Sequence, residues 1–351
     1  MKIPNQLLFF CLLSMGTPSA SGQEEIHGWT NKEGRIIDAK FVKGDAETVT
    51  IFTNGRDYTV NLSDLRPESL ALARKLSAQL ASDANSPDSS AAAPQASEAK
   101  KGPLPTIRVT EADWGGASLR DIGKVLNSTA KQLWPHASQK ELDTILVNRS
   151  ENGPIVLFRR GDKGQYFVNL DTHKTFWSQY AFQFAHEFGH IMCGYKAGSN
   201  ENQWFEESLC ETASLFAMRR MSEDWKTAPP YPHWKSYGPN FRKYAQDRIN
   251  EHPWPKSTSV AAWYRENAEA LMKNPTDRKK NTTVATQFLP LFEEKPGRWA
   301  AVAYLNKRKT NKTRDFTTYL TDWHASCPSE NKAFVDEIAK LFEVKLPSGN
   351  R

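Results

Sequence analysis

Between residues 83 and 105 the chain has no aromatic residue and is built mainly from Ala, Ser, Pro, Gln and Lys. Such a stretch cannot bury enough apolar surface to offset the entropy of ordering it, so it joins no core. It divides the 351 residues and requires a separate fold on each side. As a flexible coil it separates the two by about 25 Å on average.

Residues 1–22 read as a signal peptide. Lys2 gives a positive start, 7–13 is an apolar run too short to span a bilayer, and Pro18-Ser19-Ala20 offers a cleavage point. The expected location is therefore secreted or periplasmic, with no integral membrane segment once the signal is removed. Removal leaves Cys193, Cys210 and Cys327, which allow at most one disulfide.

From 23 to 82 the pattern is a small β module. Ile37, Ala39 and Phe41 alternate, then Val49 and Ile51, then Tyr58, Val60 and Leu62, with Asn54-Gly55 as a hairpin turn. A helix over 67–81 follows, opened by Pro67. The residues Trp29-Thr30, Gly34-Arg35, Ala39, Phe41-Val42, Gly55-Arg56, Tyr58, Val60 and Leu62-Ser63-Asp64-Leu65 resemble the Sla homology domain one family. That resemblance implies an SH3-like β-barrel that docks an unnamed protein or envelope ligand.

Past the linker, 106–351 reads as one α+β domain with a helical carboxy-terminal half. Its expected order is a strand at 106–109, a helix at 118–133, strands at 144–147, 154–159 and 165–170, and a long helix over 175–195. Only helical patterns follow residue 205. Eleven tryptophans and eighteen phenylalanines supply the core. The net charge of +6 is modest, and no basic run is interleaved with aromatics, which argues against a nucleic-acid partner. The basic run Lys307, Arg308, Lys309, Lys312 and Arg314 reads as a solvated helix end.

The chemical signal is His186-Glu187-Phe188-Gly189-His190. Histidines four apart on a helix lie within about 40° of each other, so both can bind one ion, and the Glu between them can reach a metal-held water. Trp177, Phe184, Phe188, Ile191 and Tyr195 fall on the opposite, core-facing side. A catalytic zinc takes three protein ligands and keeps one position open. Seventeen residues after His190 stands Glu207, within Trp204-Phe205-Glu206-Glu207-Ser208-Leu209-Cys210-Glu211.

These two motifs resemble the gluzincins, zinc peptidases that include thermolysin and the zinc aminopeptidases. The resemblance implies a zincin-like fold in which His186, His190 and Glu207 hold Zn2+, Glu187 is the general base and Glu211 orients a ligand histidine. Glu206, about 100° from Glu207 on the helix, is expected to face solvent. The oxyanion donor is expected among His233, Tyr237 and Tyr264. Gluzincin ligand helices run antiparallel, so Cys193 and Cys210 should diverge by roughly 9 Å along the axes and remain unbridged. The aminopeptidase signature Gly-Met-Glu-Asn and thermolysin-type calcium loops are absent. The expected function is an exported zinc peptidase, most simply an endopeptidase, acting on peptides or proteins. The alternatives are a catalytically inactive zincin-fold binding protein or an envelope docking protein led by the amino-terminal module.

Overall fold

The computed structural model describes residues 26–34, 36–53, 56–83, 102–198, 201–310 and 312–346. The expected signal peptide, the Asn54-Gly55 turn and most of the expected linker lie outside them. The chain divides into two compact units, Met1–Ser97 and Glu98–Arg351. Among the described residues no helix is long and apolar enough to cross a membrane.

The first unit is a four-stranded antiparallel meander, β1 (Ile26–Thr30), β2 (Ile36–Gly44), β3 (Thr48–Thr53) and β4 (Arg56–Asn61), followed by helix α1 (Pro67–Asp83). Trp29, Ala39, Phe41, Val49 and Ile51 pack with Leu62, Leu65, Ala73 and Leu76 into its core. Trp29 is fixed at both ends, stacking on Phe41 and donating its indole N–H to the Ala39 carbonyl at 3.1 Å. The closed barrel implied by the family resemblance is not formed among the described residues. The strands pair only with sequence neighbours, so β1 and β4 are the two edges, and α1 supplies the second layer. One helix cannot cover every inward position of four strands, and Ile37 and Tyr58 are left substantially exposed.

The second unit is α+β. Strands β5 (Ile107–Val109), β6 (Ile145–Arg149) and β8 (Tyr166–Leu170) are parallel, and β7 (Ile155–Val156) pairs antiparallel with β8 in the order β5-β6-β8-β7. Helix α2 (Leu119–Leu133) is capped by Ser118, whose hydroxyl accepts from Asp121 N. Then come α3 (Trp177–Met192), α4 (Gln203–Asp224), α5 (Gly238–Glu251), α6 (Val260–Lys273), α7 (Arg278–Glu294), α8 (Phe316–Ser326) and α9 (Ser329–Leu341).

Two differences from the expected elements bear on function. The strand expected over 154–159 is regular only at Ile155 and Val156, with one further backbone bond from Leu157 N to Phe167 O, so β7 is a short edge. Helix α3 stops at Met192, because Gly194 adopts the left-handed φ of 70° that closes a helix and its N–H bonds back to Ile191 O. Tyr195 therefore lies beyond the helix, half-buried against the margin of the core. Its ring packs on His190, with centroids 5.4 Å apart, and stacks on Phe158 at 4.1 Å.

Candidate metal centre

Helices α3 and α4 form the centre of this unit, and α4 is buried for most of its length. They run antiparallel: the Ser214 hydroxyl donates to the Phe182 carbonyl at 2.8 Å, while Gly189 lies against Cys210 nearer the other end. A Cβ at Gly189 would stand 3.1 Å from the Cys210 Cα, so this approach depends on glycine.

The close approach brings His186, His190 and Glu207 together, each at most 5% exposed. One potential ligand atom from each lies within 4.8 Å of the others, and this group can hold a metal ion. His186 Nε2 is 3.1 Å from Glu207 Oε2, and His190 Nε2 is 3.5 Å from Glu207 Oε1. Donors about 2.0–2.1 Å from a tetrahedral ion stand about 3.4 Å apart, so these separations suit one small cation.

The far side of each ring is held by another carboxylate. His190 Nδ1 is 2.8 Å from Glu206 Oε1, and His186 Nδ1 faces Glu211 Oε2 at 3.6 Å, an oxygen with no other hydrogen-bond partner among the described residues. Carboxylates on both Nδ1 atoms favour the tautomer whose Nε2 lone pair can bind a metal. Glu211 thus occupies the place expected of it. Glu206 does not face solvent: it is 1% exposed, and its second oxygen accepts from Asn306 Nδ2 at 2.9 Å and faces Lys309 Nζ at 3.5 Å. Lys309, read as part of a solvated basic run, is 8% exposed, and Arg314 turns in to pair with Asp322. Burying Glu206 without such partners would be too costly, and Lys309 covers it while Lys307, Arg308 and Lys312 stay exposed as expected.

The electrostatics follow from these contacts. Burial alone would depress the His190 imidazole, but the Glu206 hydrogen bond and the charges of Glu207, Glu206 and Glu187 outweigh it and raise it to about 10. Burial would raise the Glu207 carboxyl, but the His186 hydrogen bond and the neighbouring His190, His186 and Arg278 charges hold it well below the usual range. Glu211 is likewise lowered despite burial, through His186, Arg248 and Thr282.

Glu187 is 2% exposed, and its Oε2 accepts the Val156 N–H of β7 at 2.7 Å, tying the residue between the histidines to the sheet edge. His233, Tyr237 and Tyr264 are engaged elsewhere. His233 is exposed beside Tyr231, the Tyr237 hydroxyl bonds Ser178 at the start of α3, and Tyr264 packs against Trp204, Phe316 and Phe342. Arg278, which no motif marked, reaches the cluster instead. Its NH1 is 2.8 Å from His186 Nε2 and 3.6 Å from Glu207 Oε2. Comparisons with known protein families, with characterised proteins and with solved structures find no match to this chain.

Proposed function

We propose that this chain is an exported zinc peptidase whose zincin-like domain spans 106–351, preceded by a variant of the SH3-like Sla homology module. One observation carries the reading. Both imidazole Nε2 atoms face the Glu207 carboxylate while both Nδ1 atoms face separate carboxylates, in a buried junction with Glu187 between the two histidines in sequence. A purely structural ion has no need of a carboxylate at that position.

A zinc ion held by His186, His190 and Glu207 supplies a Lewis acid for the scissile carbonyl and acidifies a water. The remaining work belongs to side chains. Glu187 removes the proton from the attacking water and returns it to the departing amine. Its bond from Val156 N–H fixes the carboxylate and leaves Oε1 as the proton acceptor. β7 is the last strand of its sheet, and the Val156 N–H on its outer side is already taken by Glu187.

The test is a peptide library exposed to zinc-loaded protein, with Glu187→Gln as control. The expected result is cleavage by the wild type and a loss of at least about 100-fold in the variant at unchanged zinc content. Stoichiometric zinc without cleavage would favour a zincin-fold binding protein. Absence of zinc would favour a docking protein led by the amino-terminal module.

A further inference from the structure

Glu206, Glu207 and Glu211 are each buried, and each faces one lysine or arginine side chain. Lys309 Nζ is 3.5 Å from Glu206, Arg248 NH2 is 3.2 Å from Glu211, and Arg278 NH1 is 3.6 Å from Glu207. Lys309 and Arg248 bind the carboxylates behind the imidazoles, at the Nδ1 side. Arg278 NH1 instead lies against the ring of His186 itself, 2.8 Å from Nε2 and 3.4 Å from Nδ1, closer to the nitrogen where the candidate metal-binding atoms converge. It is also the most open of the three, with its side chain 43% exposed against 25% for Arg248 and 8% for Lys309.

The backbone beneath Arg278 is held in place. Asp277 caps α7 by accepting from Lys279 N and Lys280 N, at 3.1 and 3.2 Å. Thr282 Oγ1 is 2.7 Å from Glu211 Oε1, and Asn281 Nδ2 donates to the Trp204 carbonyl at 3.3 Å. The first turn of α7 is thereby pinned to α4, so Arg278 enters the site from a fixed base.

Resting on the peptidase reading, we propose that Arg278 is a catalytic residue that stabilises the negative charge developing on the substrate carbonyl oxygen. A metal held by His186 and Glu207 would take the nitrogen lone pair and the carboxylate charge that Arg278 faces here, displacing the guanidinium from Nε2 and leaving it a cation near a cation. That juxtaposition is favourable only with an anion between them. A neutral carbonyl satisfies it weakly, whereas a tetrahedral oxyanion accepts a charge-assisted hydrogen bond, so the interaction strengthens as the reaction proceeds. Arg278 keeps its protons throughout. The water oxygen forms the new C–O bond, the C–N bond breaks, and the water's proton passes through Glu187 to the amine.

Zinc-loaded wild type, Arg278→Ala and Arg278→Lys are titrated calorimetrically with a phosphinic peptide, which carries a tetrahedral anion. The parent peptide is titrated in parallel against the same variants on a Glu187→Gln background. Arg278→Ala should bind the phosphinic peptide and turn over substrate about 100-fold less well, with Arg278→Lys intermediate. Zinc content should be unchanged and parent-peptide affinity should stay within about threefold. Equal weakening of both ligands would make Arg278 a ground-state substrate clamp and overturn the proposal. Loss of zinc, or undiminished phosphinic affinity, would overturn it too. Zinc-loaded wild type that neither binds the phosphinic peptide nor cleaves anything would overturn the peptidase reading itself.

Discussion

Replacing Glu206 tests whether the ligand histidines are held from behind. One carboxylate oxygen meets His190 Nδ1 at 2.8 Å, and the other meets Asn306 Nδ2 at 2.9 Å and Lys309 Nζ at 3.5 Å. In Glu206→Gln the shape remains, but the amide has one acceptor for three donors, and its NH2 must face either a ring N–H or the Lys309 ammonium. Loss of a carboxylate behind a ligand histidine typically costs 10- to 100-fold in metal affinity, or about 1.4–2.8 kcal/mol. Glu206→Ala adds a second effect. It leaves the Lys309 ammonium buried and unpaired, which destabilises the fold by about 3–5 kcal/mol.

The two effects separate in a double mutant. Glu206→Gln with Lys309→Met removes both charges and should recover much of the folding stability, but none of the zinc affinity. Zinc affinity is read by competition with a chromophoric chelator, and stability by thermal denaturation with and without zinc. Glu206→Gln binding zinc within about twofold of wild type would refute the argument, since the His190 tautomer would then owe nothing to Glu206.

In the metal-free protein the His190 pKa of about 10 lies above its ordinary 6.5. The charged ring therefore contributes stability that is fully present below pH 6.5 and is lost as pH rises through 10. Zinc must displace that proton at neutral pH, so its apparent affinity should tighten about tenfold per pH unit between 7 and 9; a pH-independent affinity would contradict this. Gly189→Ala should lower the melting temperature and weaken zinc binding. The added Cβ meets the Cys210 backbone at 3.1 Å, and about 1–3 kcal/mol of overpacking exceeds the gain of about 1 kcal/mol in helix propensity. A stabilised variant would show that α3 and α4 have room to part. A chain beginning near Lys101 retains the whole of the cluster and should keep its zinc and most activity on a small substrate; zinc-bound but inactive protein would implicate the amino-terminal unit in the site.

The three clustered residues were legible because positions four apart share a helix face whatever surrounds them, and because the downstream Trp-Phe-x-Glu pattern marks the next helix. Glu206 was misread for a specific reason. Its phase on α4 means exposure only if the helix has a wet side, and α4 is enclosed on nearly all sides. Nothing local in the sequence announces that Asn306 and Lys309 return to cover it. Arg278 was hidden in the same way. It lies at the start of α7 with no motif around it, and only the docking of α7 on α4 carries it to His186.

The cysteines expose a different error. Axial arithmetic places Cys193 and Cys210 roughly 9 Å apart along antiparallel helices. It omits the lean of helical side chains toward their own amino terminus, which in an antiparallel pair points the two thiols at each other. The thiols are within hydrogen-bonding reach, yet both are free and buried. Burial, reinforced by the Cys193 contact, pushes the Cys210 thiol well above its ordinary range. The reactive thiolate is thereby suppressed at Cys210. The same lean operates at the ligands. Side chains on α4 tilt toward residue 203, the end that lies beside the carboxy-terminal end of α3, where His190 stands. This is how two consecutive residues, Glu206 and Glu207, come to face opposite nitrogens of the His190 ring, one carboxylate placed to orient it and one placed to share a metal with it.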